Sequence, residues 1–162
     1  GGAVFAEESA LSVTASSFET NTATMHGGAI KFVGAKSDLN SGIVTSSSFV
    51  GNAAVVSGGA LSIDGAVAGF TVRQSSFSGN AAAFGGGLAQ ESSKNKTNST
   101  HSDILLSTFA ENSASTEGGD LYFNDGGLGY EACKSTITCC TFNDLVPLDE
   151  PNDIQVNPCP SP

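Results

Sequence analysis

The chain has 162 residues, six Lys and Arg against sixteen Asp and Glu, and a formal net charge of −10. That length suits one domain with a real core. The acidic balance excludes a nucleic-acid binder, which needs a basic footprint against phosphate, and also electrostatic docking on anionic lipid.

Glycine fills 20 positions without a three-residue period, and hydrophobic residues reach 39%, so neither collagen nor disorder fits. No apolar stretch approaches the roughly 18 residues of a membrane span. The chain opens Gly1-Gly2-Ala3-Val4, with no Met and no basic start. It therefore reads as a processed product or a piece of a longer protein, without a signal peptide of its own.

Self-similarity is the strongest signal along the chain. F-x-x-N occurs four times, at Phe18/Asn21, Phe49/Asn52, Phe77/Asn80 and Phe109/Asn112. Phe142 opens a fifth, degenerate copy, Phe142-Asn143-Asp144-Leu145. An alanine follows each Asn by two: Ala23, Ala54, Ala82 and Ala114. Nine residues after three of the Phe stand glycine pairs, Gly27-Gly28, Gly58-Gly59 and Gly118-Gly119, while Gly85-Gly86-Gly87 is ambiguous by one residue. Five residues before Phe come Val13, Val44, Val72, Ile104 and Ile137, and directly before it Ser17, Ser48, Ser76, Thr108 and Thr141.

The Phe-to-Phe spacings are 31, 28, 32 and 33, and most of the variation falls between the glycines and the next Phe. The glycine pairs lead into alternating runs, Ile30-Lys31-Phe32, Leu61-Ser62-Ile63 and Leu121-Tyr122-Phe123. Alternation places the apolar members on one face of a strand. Val or Ile stands an odd number of residues before Phe, so the chain must bend or turn a corner between them.

Short strands, sharp corners and a period near thirty predict an all-β chain, a parallel β-helix of about five coils, with equivalent residues stacked at ~4.8 Å. Phe stacks on Phe in the core, Asn forms a ladder at a corner, and paired glycine permits positive φ at the next. Hairpin-linked alternatives such as a propeller or sandwich lack their turn signals. The repeats are expected over residues 1–145, and residues 146–162 as a Pro- and Cys-containing C-terminal cap or tail.

The cysteines lie near the end: Cys133, Cys139, Cys140 and Cys159. Without C-x-x-C spacing they read as disulfide candidates in an oxidising compartment. A Cys139–Cys140 bridge would be strained, so Cys133 and Cys159 are expected to pair with the two adjacent residues, in either order. Asn95-Lys96-Thr97 and Asn98-Ser99-Thr100 are glycosylation sequons. Together these features predict a secreted or cell-surface location.

Catalytic chemistry finds little support. A polysaccharide lyase needs cations and a base; Arg73, five lysines including Lys31, His26 and His101 are the available groups. A hydrolase needs opposed carboxylates; Asp64, Glu91, Asp103 and Asp120 each read as isolated near a loop. His26 reads as a surface corner residue, and Asn124-Asp125-Gly126-Gly127 as a turn rather than a calcium loop. No cofactor or metal is expected. The Ser/Thr column before Phe raises an ice- or glycan-binding alternative, and the neighbouring column Ser16, Ser47, Ser75 and Ser107 suggests that one of the two is a buried hydroxyl stack.

The repeats resemble those of the polymorphic outer membrane proteins known from chlamydiae, whose hallmarks are F-x-x-N and GGA[ILV]. Here the first motif reads FETN, FVGN, FSGN and FAEN; the second reads GGAV, GGAI and GGAL, then GGGL and GGDL. The resemblance reaches to about Phe142 and implies a right-handed, surface-exposed β-helix with an adhesive role toward a host-cell or matrix surface. It leads to the expectation of a non-catalytic module of a surface adhesin or extracellular filament. Its partners would be copies of itself, or upstream coils, stacked end to end. A polysaccharide-acting enzyme is the main alternative.

Overall fold

A computed structural model describes residues 1–34, 40–65, 67, 69–91, 101–124, 135–142, 154–157 and 159. The first coil carries β1 (Val4–Glu7), β2 (Leu11–Thr14), β3 (Ser17–Glu19) and β4 (Thr22–Ala23). The second repeats this as β5 (Ile30–Gly34), β6 (Ser41–Thr45), β7 (Ser48–Val50) and β8 (Ala53–Ala54). The third holds β9 (Leu61–Gly65), β10 (Gly69–Arg73), β11 (Ser76–Ser78) and β12 (Ala81–Phe84). The fourth holds β13 (Leu88–Glu91), β14 (Ser102–Leu105), β15 (Thr108–Ala110) and β16 (Ser113–Glu117). Beyond them lie β17 (Leu121–Asn124), β18 (Ser135–Thr138), β19 (Thr141–Phe142) and β20 (Ile154–Asn157).

These strands form four parallel sheets, ordered β1-β5-β9-β13-β17, β2-β6-β10-β14-β18-β20, β3-β7-β11-β15-β19 and β4-β8-β12-β16. Each sheet takes one strand per coil, so the chain is a β-solenoid. The repeat suggests about five coils, and the count differs slightly. Four coils hold a strand in every sheet; the second and third are covered on both sides in all four sheets, and the fourth in all but the sheet that β16 ends. The fifth contributes β17, β18 and β19, and β20 adds one strand beside β18.

The repeat columns are the registers of these sheets. Val13, Val44, Val72, Ile104 and Ile137 are successive partners in the second sheet. Phe18, Phe49, Phe77, Phe109 and Phe142 are successive partners in the third. The Phe rings stack nearly parallel, with centroids 5.0, 4.6, 4.7 and 5.2 Å apart. Phe49, Phe77 and Phe109 are fully buried, and Phe18 is half-buried at the open edge. Burying each ring is worth about 1.5–3 kcal/mol, and ring pairs add roughly 0.5–1.5 kcal/mol.

The odd spacing from Val to Phe is resolved by a left-handed corner between the second and third sheets. Ala15, Ser46, Gln74, Leu106 and Cys139 occupy it, all with φ between 47° and 54°. None is glycine, so each carries the steric penalty of that region, on the order of 1–2 kcal/mol.

Gly27, Gly58, Gly85 and Gly118 make another corner with φ of 60–68°. The glycine after each of the first three faces the neighbouring coil: a Cβ on Gly28 would strike the Gly59 carbonyl, and one on Gly59 the Gly86 carbonyl. Positive φ at Gly85 resolves the ambiguous triplet: Gly85-Gly86 is the pair, and Gly87 takes the place held by Ala29 and Ala60. That coil has one residue fewer between its Phe and its glycine corner, with a register shift between Ala82 and Phe84.

Candidate functional site

Two polar ladders run the length of the solenoid. In the asparagine ladder, the backbone N–H and Nδ2 of Asn21 both donate to Asn52 Oδ1, at 3.0 and 2.9 Å. Asn52 repeats this toward Asn80, and Asn80 toward Asn112. The amides also reach back one coil. Asn52, Asn80 and Asn112 donate through Nδ2 to the carbonyls of Phe18, Phe49 and Phe77, each at 3.0 Å. Asn52, Asn80 and Asn112 are buried, so these bonds satisfy groups that water cannot reach.

The serine ladder lies two residues before Phe. Each hydroxyl donates to the carbonyl two residues back: Ser16 to Thr14, Ser47 to Thr45, Ser75 to Arg73 and Ser107 to Leu105. The Oγ of Ser47, Ser75 and Ser107 each accepts from the backbone N–H of the serine one coil earlier, at 3.2 Å. Ser47, Ser75 and Ser107 are buried. This is the buried hydroxyl stack anticipated from the paired serine columns. The outer column, Ser17, Ser48, Ser76, Thr108 and Thr141, faces outward, with Ser48 half-buried. Ser76 Oγ donates to Ser48 Oγ at 3.4 Å.

Both ladders change chemistry at their C-terminal end. Asp120 stands where earlier coils have Ala29, Ala60 and Gly87. It is 2% exposed, and its Oδ1 accepts from Asn112 Nδ2 at 2.8 Å. The serine column ends on Cys140, whose thiol donates to the carbonyls of Ile104 and Thr138 at 3.4 Å. The Thr138 bond repeats the two-residue reach of the serines. Burial pushes the Cys140 thiol pKa above its ordinary value, with the neighbouring backbone of Ser107 and Thr138 opposing the shift.

Cys139, in the adjacent corner, is bridged to Cys159. The expectation that both adjacent cysteines are bridged therefore fails at Cys140, which is a free thiol filling a serine site. Cys133, the sequons at Asn95 and Asn98, Asn143 to Leu145, and Asp125 to Gly127 lie outside the described residues, as does most of residues 146–162.

The candidate catalytic side chains separate into distinct places. Asp64 and Glu91 are not isolated as their sequence context suggested. They are in-register neighbours on the outer face of the first sheet, in a column that runs Glu7, Val33, Asp64, Glu91, Asn124. Lys31 Nζ lies 3.4 Å from Asp64 Oδ2 and donates to Ser62 Oγ at 3.1 Å. Lys31 and Ser62 are buried although they point away from the core, because the glycine corner lies against this column.

His26 is half-buried, with Nδ1 2.7 Å from Ser57 Oγ, so it is more than a surface corner residue. Burial, and then the Lys31 charge, hold its pKa below the ordinary histidine value, against the opposing pull of Glu91 and Asp64. Ser57 is fully buried, which leaves it no access to a substrate. Asp103 pairs with His101 at 3.2 Å on the second sheet, and Arg73 lies on that sheet too, apart from Lys31. Among the described residues, no group of three or more His, Cys, Asp or Glu could hold a metal ion.

Inside the fourth and fifth coils the core turns polar. Gln90 occupies the column of Phe32 and Ile63, and its Nε2 donates to Ser135 Oγ at 3.3 Å. Ser102 neighbours Ser135, and its hydroxyl is the one buried side-chain polar atom without a partner among the described residues.

No protein-family model, curated protein or solved structure matches the chain.

Proposed function

We propose that this chain is a non-catalytic structural or adhesive module of an extracellular surface protein or filament. The observation that carries this reading is the unbroken run of Phe, Asn and Ser ladders through the coils. They consume the repeated chemistry of the sequence in stacking the coils, and leave outer faces that carry the Ser/Thr column together with exposed apolar residues such as Ile43, Val50 and Val55. The Cys139–Cys159 bridge supports an oxidising location outside the cell. The likeness of the F-x-x-N and GGA motifs to polymorphic outer membrane protein repeats supports an adhesive role.

The test is binding of the purified chain to cells and matrix, compared with a variant lacking residues 91–101. Binding lost with the fold intact supports adhesion at that segment; binding to nothing in either form counts against it.

A second reading, a carbohydrate-acting enzyme, is favoured by one observation, the adjacency of Asp64 and Glu91. Glycoside hydrolysis commonly uses a pair of carboxylates, and these two stand on neighbouring strands. Release of reducing ends from acidic polysaccharides, abolished by Asp64→Asn or Glu91→Gln, would establish it. Absence of turnover on such a panel favours the structural reading.

A further inference from the structure

The polar cluster inside the fourth and fifth coils belongs to neither ladder. Ser102 opens β14 with its side chain inward, in the alternation that also buries Ile104. Its column in the second sheet runs Leu11, Gly42, Phe70, Ser102, Ser135, Ile154. Phe70 leans toward the second coil. Its ring meets Phe32 edge-on, with centroids 5.2 Å apart, and occupies the space that a Cβ on Gly42 would need. Its bulk is therefore turned away from Ser102. Two short side chains follow it in the column, Ser102 and Ser135, each only 1% exposed.

Ser135 is held by Gln90, which is fully buried. Gln90 Nε2 donates to Ser135 Oγ at 3.3 Å, and Ser135 Oγ donates to Gln90 Oε1 at 3.4 Å. Those contacts use the Ser135 hydrogen and one of its two lone pairs. Ser102 Oγ has no protein partner, so one donor and two lone pairs are buried unused. A hydroxyl left so carries its full desolvation cost, and folded proteins satisfy nearly all such groups.

We infer that Ser102 and Ser135 bind one internal water molecule between the fourth and fifth coils. The water accepts from the Ser102 hydroxyl and donates to the remaining lone pair of Ser135. Neighbouring strands stand about 4.8 Å apart, and hydroxyl–water bonds span about 2.8 Å each. One water therefore reaches both oxygens, and two polar partners are the least that a buried water needs. The chemistry selects water over the other small occupants. The three side chains are neutral, so a desolvated cation would have no compensating charge there. An apolar molecule would leave the Ser102 hydroxyl as costly as before. The inference concerns the core alone and goes beyond the reading of the chain as a structural or adhesive module.

Ser102→Ala in the full chain separates a bridged hydroxyl from an orphan. Removing a bridged hydroxyl takes a partner from the water, and the thermal midpoint should fall by roughly 2–4 °C. Removing an orphan relieves a penalty, so a midpoint that rises or stays level would overturn the inference. A high-resolution crystal structure of the unaltered chain is the second measurement. Density for one water within hydrogen-bond reach of both hydroxyls is expected. Finding none, or finding Ser102 Oγ bonded directly to another side chain, would overturn it too. The last arm replaces sodium and potassium by choline at equal ionic strength. An unchanged midpoint is expected, and a drop confined to the unaltered chain and absent from Ser102→Ala would assign the site to a monovalent cation instead.

Discussion

The first and third coils contain the same residues in the same columns, yet they hold them differently. Phe77 lies between two rings in a dry column, and Asn80 has both faces of its amide engaged. Phe18 and Asn21 have neighbours on one side only. The difference shows that a repeat residue in a solenoid draws its stability from adjoining coils rather than from its own. A nearest-neighbour account predicts this for stacked units that cannot bury their faces alone.

The largest break in that comparison comes from the core. Phe77→Ala should destabilise by about 3–5 kcal/mol, the usual loss for a large buried aromatic, while Phe18→Ala should lose less than half as much. Urea unfolding of the pair measures both, and equal losses would remove the coil-by-coil distinction.

The asparagines should follow in the same order. Asn80→Ala strands buried partners on both sides and should destabilise by roughly 2–4 kcal/mol, against about 0.5–1.5 kcal/mol for Asn21→Ala. Asp120→Ala orphans the Asn112 amide, and about 1–3 kcal/mol is expected from thermal unfolding.

A smaller effect runs the other way. Gln74→Gly at the left-handed corner should stabilise by about 0.5–1 kcal/mol, because relief of the Cβ clash exceeds the added chain entropy of glycine. At the glycine corner, Gly58→Ala should destabilise, since its φ is 63° and its Cβ would meet the Leu61 carbonyl.

The smallest effect is pH-dependent. His26 has a lowered pKa in the folded chain, so the unfolded chain binds the proton more readily. Its contribution to stability is complete above the unfolded value of about 6.5 and falls as pH drops through that value. The side chain is only half-buried, so the change is modest, and His26→Gln should remove it from the midpoint-versus-pH profile.

Much of the architecture was legible because it is written in columns. Phe, Asn, Val or Ile and the glycine pairs recur at fixed offsets, and fixed offsets within a coil become in-register neighbours between coils. The ladder ends were harder to see. Asp120 and Cys140 look like degenerations of GGA and of the serine column. Only the bonds to Asn112, Ile104 and Thr138 show that Asp120, from the alanine column, serves the asparagine ladder as acceptor, and that Cys140 fills the serine position with a thiol.

The Asp64–Glu91 pair was hidden by the unequal spacing of the repeats, 31, 28, 32 and 33 residues from Phe to Phe. Counting from the glycine corner would have found it, because each residue stands three after the leucine that opens its strand, Leu61 or Leu88. The non-glycine corner residues carry no common side chain, so the backbone turn there had no signature beyond the odd Val-to-Phe spacing.

Residue-resolved amide hydrogen exchange on the intact chain tests the central claim most directly. Backbone N–H groups of Asn52 and Asn80 should exchange only through global unfolding, while those of β1 to β4 exchange through cheaper opening of the first coil. Uniform protection from the first coil to the fourth, or fast exchange at Asn80, would contradict a solenoid in which each coil is held by ladders to its neighbours.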